Sequence, residues 1–422
     1  MSIKYIMPDW DDYLDTEFDF KKDTFSTSEN GTPKRSYLHE IMGDDTPYDG
    51  ILVSLNQIDK KKGALKNYDL TGANKTIREI MRIPKHIMVI GDCGAFSYKD
   101  RLEPSIDPIT AAKLYNDYGF DLGASVDHMI VDEVVIKNTD GKDEKRALTD
   151  EEKVARVTLT IENAKAFINE VKTKKYHFTP LGSIQARTPK EYAEVFDKYI
   201  EMGYRQIALG SLIPKDDDAI REIITEVGAR YKSLPSDIRK DVGIHLFGIL
   251  RPALFSIYAE NGIASFDSAS YFRKAWLKSD KNYLGENGEW YAAIRVPQSA
   301  LPKNRKELIS KNHDLKVVAD LEVRVLHSLN EFSKDTDIET VLDSIIKYDS
   351  YFERISDGGE KLREAYRRVL TDRPWEQCKC AICREIGIHA LIFRGYNRNK
   401  RRGFHNTYVF YHQYNGGKKR EH

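Results

Sequence analysis

HFTPLGSIQ (residues 177–185), RQIALGS (205–211), VGIHLFGI (242–249) and IASFDSAS (263–270) are apolar runs in close succession, and their reading decides the fold. Working outward, the same kind of run appears upstream as ILVSL from Ile51, HIMVIGD from His86 and DLGASVD from Asp121. Near-continuous apolar character is what strands covered on both faces require. Between the runs lie amphipathic helical patterns. The clearest opens at Thr149, where Thr149-x-x-Glu152 forms a capping box. It continues with Val154, Val157, Ile161, Ala164 and Ile168 at helical spacing. The polar stretch NTDGKDEKRALTD (138–150) reads as a mobile loop.

Strand–helix alternation at this density predicts a parallel sheet. Seven candidate strands in sequence favour a closed (β/α)8 TIM barrel, an α/β fold, over residues 1–300, with the eighth strand unplaced. A doubly wound sheet would need a phosphate loop after an early strand, and no G-x-G-x-x-G or P-loop occurs. After about Ala300 the pattern turns charged and helical, which predicts a helical insertion over 301–371. A C-terminal subdomain, 372–422, then carries cysteines, a basic stretch and an aromatic end.

The chain has 422 residues, of which 41% are hydrophobic, so a sizeable core can form. Its 66 basic and 66 acidic side chains cancel, so overall charge argues for no nucleic-acid partner, although local patches can still supply one. No apolar run approaches a membrane span, and the acidic opening MSIKYIMPDWDDYLD lacks the blocks of a signal peptide. A cytosolic protein is expected. In a reducing compartment, three of the 4 cysteines crowded into CKCAIC point to metal.

In a barrel, functional groups gather at the C-terminal strand ends. There the sequence places Gly91-Asp92-Cys93-Gly94-Ala95-Phe96, Ser125-Val126-Asp127-His128, Gly182-Ser183-Ile184-Gln185, Gly210-Ser211 and Phe266-Asp267-Ser268. Singly, each Asp reads as a helix cap and each Gly as a turn. Their coincidence at successive strand ends favours a site. Cys378-x-Cys380-x-x-Cys383 has thiolate spacing that closes around one ion, with a His completing a tetrahedral structural zinc site. His405 and His389 both offer themselves, and His389 lies within the apolar run IGIHALIF, where a core histidine is commoner. RGYNRNKRRGFHN (394–406) interleaves basic and aromatic side chains, which suits phosphate contacts as well as it suits a solvated loop.

These motifs resemble those of the tRNA-guanine transglycosylase superfamily. GDCGAFSY is similar to its D-S-G-G-F-Q segment, and HLFGILRP followed by SFDSASYFRKAW to its L-F-G-x-G-H-P … L-F-D-S-A-A-Y. C-x-C-x-x-C … H-N resembles its zinc site. The order agrees over residues 91–406. The opening PDWDD, the YDGILVS strand and the end FRGYNRNKRRGFHN look more like the branch that modifies DNA, the 7-deazaguanine DNA transglycosylases.

The resemblance implies Asp267 as nucleophile, Asp92 in proton transfer, Asp127 and Gln185 in reading the base and Gly210 packing on it. It also puts Cys93 in the base pocket, with Phe96 or Tyr98 stacking there. It implies structural Zn2+ on Cys378, Cys380, Cys383 and His405. The partners it implies are DNA, the incoming base 7-cyano-7-deazaguanine (preQ0) and companion proteins of a DNA-modification cluster. Arg398, Arg401 and Arg402 are expected to follow a phosphate backbone. Cys93, Ala95 and Ser97 depart from the family's Ser, Gly and Gln. His128 replaces the Glu of queuine-type enzymes, and LGSLIP lacks an acidic residue. These departures touch the choice of base and polynucleotide, not the reaction. A tRNA enzyme is the nearest alternative. A catalytically silent binding subunit is less favoured, because both catalytic carboxylates are present.

Overall fold

A computed structural model of the chain describes residues 3–9, 12–26, 36–58, 75–137, 141–277, 280–352 and 359–418. It divides into two compact units, one formed by Met1–Asp11 with Tyr48–Ala269, the other by Asp12–Pro47 with Ser270–His422.

The first unit is a closed barrel of eight parallel strands. They are β1 (Lys4–Pro8), β2 (Gly50–Ser54), β3 (Met88–Asp92), β4 (Leu122–Ala124), β5 (Thr179–Ile184), β6 (Gln206–Leu209), β7 (Gly243–Leu246) and β8 (Ile263–Asp267). Neighbours in the barrel are neighbours in sequence, and β1 closes the ring by pairing Met7 with Ile51 of β2 and Tyr5 with Phe266 of β8. All seven strands expected from the sequence are present. The eighth, unplaced from sequence, is the first in the chain. KYIMP escapes pattern reading because its apolar part is only Tyr5-Ile6-Met7, and among the described residues no helix follows it within the barrel. The chain passes instead into the second unit.

The barrel interior is filled, not hollow. Ile6, Leu52, Ile90, Ala124, Leu181 and Ala208, one from each of β1 to β6, form a buried cluster joined by Met88, Leu122 and Phe247. Outside the ring, glycines let helices approach. A Cβ at Gly91 or Gly123 would run into the Tyr115 ring of the helix Pro108–Asp117. The Thr149 capping box forms, with Thr149 Oγ1 accepting the Glu152 N–H at 3.2 Å and Glu152 Oε2 accepting the Thr149 N–H at 2.9 Å. It starts the 25-residue helix Asp150–Lys174. Val157, Ala164 and Ile168 are buried there, but Val154 faces solvent, so the apolar stripe is narrower than its spacing implies. The stretch read as a mobile loop contains one arm of a hairpin, Asp143–Ala147 paired antiparallel with Glu133–Lys137. Asn138, Thr139 and Asp140 lie outside the described residues, as do Trp10 and Asp11 of the PDWDD segment.

Besides Asp12–Pro47, the second unit takes in the chain from Ser270 onward. Helices Pro302–Ser310, Leu315–Asn330, Ile338–Asp349 and Glu360–Asp372 supply the expected helical run. They fall in the same compact unit as the cysteine segment and as residues 12–47. No described helix is long and apolar enough to cross a membrane.

The basic segment corrects an expectation. It opens the helix Gly395–Lys418, and Arg398, Arg401 and Arg402 are at most 1% exposed. Arg398 pairs with Asp23 and donates to the Phe20 carbonyl at 2.6 Å. Arg401 pairs with Glu385 at 2.8 Å and reaches the Asp15 carbonyl at 3.1 Å. Arg402 donates to the carbonyls of Ala275, Ala390 and Ile392, and burial pushes its pKa down to about 9. These guanidinium groups are committed inside the protein and are not available to phosphates. Arg402→Ala would strand three buried carbonyls and leave a cavity. The expected result is a loss of stability on the order of 3 kcal/mol, read as a lower urea midpoint.

Candidate active site and metal centre

The strand ends bring together the carboxylates that the sequence singled out. Asp92 ends β3, and after it the chain turns sharply at Gly94, whose φ is +87°. That left-handed conformation favours glycine, and a Cβ there would also collide with Asn56 Nδ2. The turn aims the Gly94 N–H at the Asp92 carboxylate, which the Ser54 hydroxyl also meets. Burial pushes the Asp92 carboxyl up to about 7. The negative charge of Asp127 adds to this, the Gly94 N–H and Ser54 hydroxyl oppose it, and Asp267 contributes further. A carboxyl at that value can give or take a proton near neutral pH.

Asp127 lies just beyond β4 and is 4% exposed. Cys93 Sγ donates to its Oδ1 at 3.1 Å, and Gln185 Nε2 donates to its Oδ2. Burial raises the Asp127 pKa, and these two donors hold it back. Gln185 is itself oriented, because the Ser211 hydroxyl donates to its Oε1. Gly210 has no room for a side chain, since a Cβ would run into Gln185 Nε2. The thiol of Cys93 thus anchors Asp127 and is not a free nucleophile; burial pushes its pKa well up.

The two stacking candidates separate cleanly. Tyr98 is fully buried, with its hydroxyl on the Asp127 carbonyl at 3.0 Å and 3.1 Å from Cys93 Sγ. Phe96 is 69% exposed, with the Lys99 ammonium 5.8 Å from its ring centroid. His128 is fully buried, and burial lowers its pKa to about 4, so it brings no counterpart to the charge of a Glu.

Asp267 ends β8 and is 5% exposed. Its Oδ1 accepts the Gly248 N–H at 2.8 Å and lies 3.1 Å from His245 Nε2. Ser54, His245 and Gly248 were not singled out as site residues in the sequence, and Ser211 was named only as part of a strand end. The available signal was a polar residue facing inward from an apolar strand, as His245 is in VGIHLFGI.

In the second unit, Cys378, Cys380, Cys383 and His405 are buried, with ligand atoms all within 4.8 Å of one another. His405 Nδ1 lies 3.4, 3.5 and 3.3 Å from the three sulfurs in that order. Its Nε2 meets the Leu284 carbonyl at 2.7 Å, which places the ring proton there and leaves the Nδ1 lone pair facing the thiols. The Tyr283 ring stacks on His405 with centroids 3.9 Å apart. Backbone N–H groups of Cys380 and Cys383 point at Cys378 and Cys380 sulfurs. Donor set and spacing fit a tetrahedral ion. His389 is not in the cluster; it packs near Phe20 and meets Arg398. The group can hold a metal ion, with His405 as its fourth member.

An eight-stranded barrel with three acidic residues at its strand ends, together with a unit carrying a buried Cys3His group that could hold a metal ion, defines a class of architecture. Comparison with known proteins narrows that class. No protein-family model matches the chain. It is 33% identical over 421 residues to a DNA-guanine transglycosylase of Salmonella montevideo, covering 97% of this chain and 96% of that protein. It is also 25% identical over 206 residues to the tRNA-guanine(15) transglycosylase of Methanococcus vannielii, a match to 48% of this chain and 28% of that protein. The chain belongs to the DNA-guanine transglycosylase family, within the transglycosylase superfamily that its motifs resemble.

Proposed function

We propose that the chain exchanges guanine in DNA for preQ0 by double displacement, with Asp267 as nucleophile and Asp92 as acid and base. The observation that carries this reading is the pairing of two unlike carboxyl groups at one barrel mouth. Asp92 is tuned to about 7, while Asp267 is clamped, among the described residues, through one oxygen only. In the first half, Asp267 Oδ2 attacks the sugar C1′ and the glycosidic bond breaks. Its electron pair leaves on the purine nitrogen, and the purine takes a proton from Asp92. In the second half, the incoming base gives a proton to Asp92 and its nitrogen attacks C1′. The bond to Oδ2 breaks with its pair returned to the carboxylate, so configuration is retained. Water must be excluded for a base nitrogen to win, and the target guanine must leave its stack.

Asp127 and Gln185 read the base edge in this scheme, Gly210 lies against the base, and Phe96 stacks on it. Cys93 acts by holding Asp127. Zinc on Cys378, Cys380, Cys383 and His405 is structural, because the four protein ligands complete the shell. The choice of DNA rests on the Salmonella relative and on the terminal segments that resemble the DNA-modifying branch. Labelled preQ0 offered with duplex DNA or with tRNA, together with any companion proteins required, tests it. Incorporation into DNA alone is expected, and incorporation into tRNA alone would replace the reading with the tRNA enzyme.

The pH dependence follows from Asp92. Adduct formation in the absence of incoming base needs the protonated carboxyl. Its single-turnover rate should be full below pH 7 and fall as pH rises through about 7. Asp92→Ala should remove that inflection. A rate flat from pH 6 to 8.5 in the unmodified protein would assign the proton to another group.

A further inference from the structure

We infer that His245, held by Ser265, is a positioning residue for Asp267, leaving Oδ2, which has no hydrogen-bond partner among the described residues, to attack. The inference rests on the reading of Asp267 as nucleophile and adds the residues that aim it.

The strand register creates the arrangement. Ser265 and Asp267 are two residues apart on β8 and so point to one face. His245 on β7 pairs with Ser265 across the ladder and joins them there. His245 Nδ1 lies 2.8 Å from Ser265 Oγ, and Nε2 lies 3.1 Å from Asp267 Oδ1. A carboxylate oxygen only accepts, so Nε2 carries the ring proton and Nδ1 takes the serine hydroxyl proton as acceptor. Phe247 sets its edge against the imidazole, with centroids 4.8 Å apart at 78°. His245 is 3% exposed, so its ring has little freedom to choose another partner. The Gly248 N–H, at 2.8 Å, gives Oδ1 a second donor.

Two donors on Oδ1 have a chemical consequence in each half of the reaction. Before attack, they fix the carboxylate rotation, so the Oδ2 lone pair is presented without a search. After attack, Oδ2 is bonded to C1′ and Oδ1 is an ester carbonyl still facing both donors. When the C1′–Oδ2 bond breaks, its electron pair returns to the carboxylate, and the same donors receive the growing charge. His245 touches neither sugar nor base in this account. It keeps its proton throughout and acts only through Asp267.

The test measures exchange of labelled guanine into duplex DNA by the full chain, with any companion proteins it needs, for His245→Leu, His245→Gln, Ser265→Ala and Asp267→Asn. His245→Leu should lower kcat roughly tenfold to a hundredfold with KM for guanine unchanged, less than the loss of a donor aimed at the reacting atoms themselves, because His245 acts through Asp267. His245→Gln should recover most of that, because its side-chain amide can still donate to Oδ1. Ser265→Ala should lower kcat severalfold. Asp267→Asn inactive while His245→Leu and Ser265→Ala run at the unmodified kcat would overturn the inference and spare the nucleophile. Asp267→Asn fully active would remove the nucleophile and this inference with it. Equal losses in well-folded His245→Leu and His245→Gln would reduce His245 to packing and overturn it. Should His245→Leu fail to fold, Ser265→Ala decides, and an unchanged kcat there overturns it.

Discussion

Asp267→Asn is expected to abolish base exchange, by at least about a thousandfold, or roughly 4 kcal/mol of activation free energy. The amide is nearly isosteric, and its carbonyl oxygen can still accept from the Gly248 N–H and from His245. Thermal unfolding should therefore stay close to that of the unmodified protein. What is lost is the anionic oxygen that would bond C1′. Unmodified protein incubated with duplex DNA and no incoming base should give a covalent adduct that survives denaturation, and Asp267→Asn should give none. An undiminished adduct would move the nucleophile elsewhere, with Asp92 the next candidate. Asp127→Ala should behave differently. It frees Gln185 and Cys93 from their shared acceptor and should raise KM for the base more than it lowers kcat.

The second large effect concerns the metal centre. Purified protein is expected to carry one zinc per chain, and Cys380→Ser or strong chelation should unfold much of the Ser270–His422 region. Four buried ligand groups from Cys378 to His405 come together with Tyr283 and Leu284 packed on them. Without an ion, three buried thiols and an imidazole nitrogen face one another with nothing to bind them together. Metal binding is then folding energy, of the order of 10 kcal/mol in small zinc sites. Limited proteolysis should cut inside the second unit first on chelation. His405→Ala should lower zinc content and His389→Ala should not; the reverse order would make His389 the ligand, against its place beside Phe20 and Arg398. Zinc well below one per chain in active protein would overturn the structural role.

How far the sequence reaches is visible in particular elements. The seven internal strands are legible because each carries its own apolar run and is followed by a helical pattern, both properties of contiguous residues. Asp92, Asp127, Gln185 and Asp267 are legible because barrel geometry sends strand ends to one mouth, so position in the repeat stands in for position in space. The cysteine spacing is legible for the same local reason.

Tertiary structure decided what depends on distant partners. β1 became a strand only by pairing with β2 and β8, because KYIMP alone carries too short a pattern. The second unit took in residues 12–47, which the sequence offered no reason to separate from the barrel. Arg398 reads as a surface cation in RGYNRNKRRGFHN, yet its carboxylate partner, Asp23, lies 375 residues away. A buried charge persists when such a partner compensates its desolvation, and no local pattern announces one. His245 is likewise an ordinary polar residue in an apolar strand until the register of β7 against β8 sets it between Ser265 and Asp267. Periodicity and motif order determine which chemistry is carried, because the chain itself holds them. Burial and hydrogen-bond partners determine which residues are free to perform it, and those belong to the folded state.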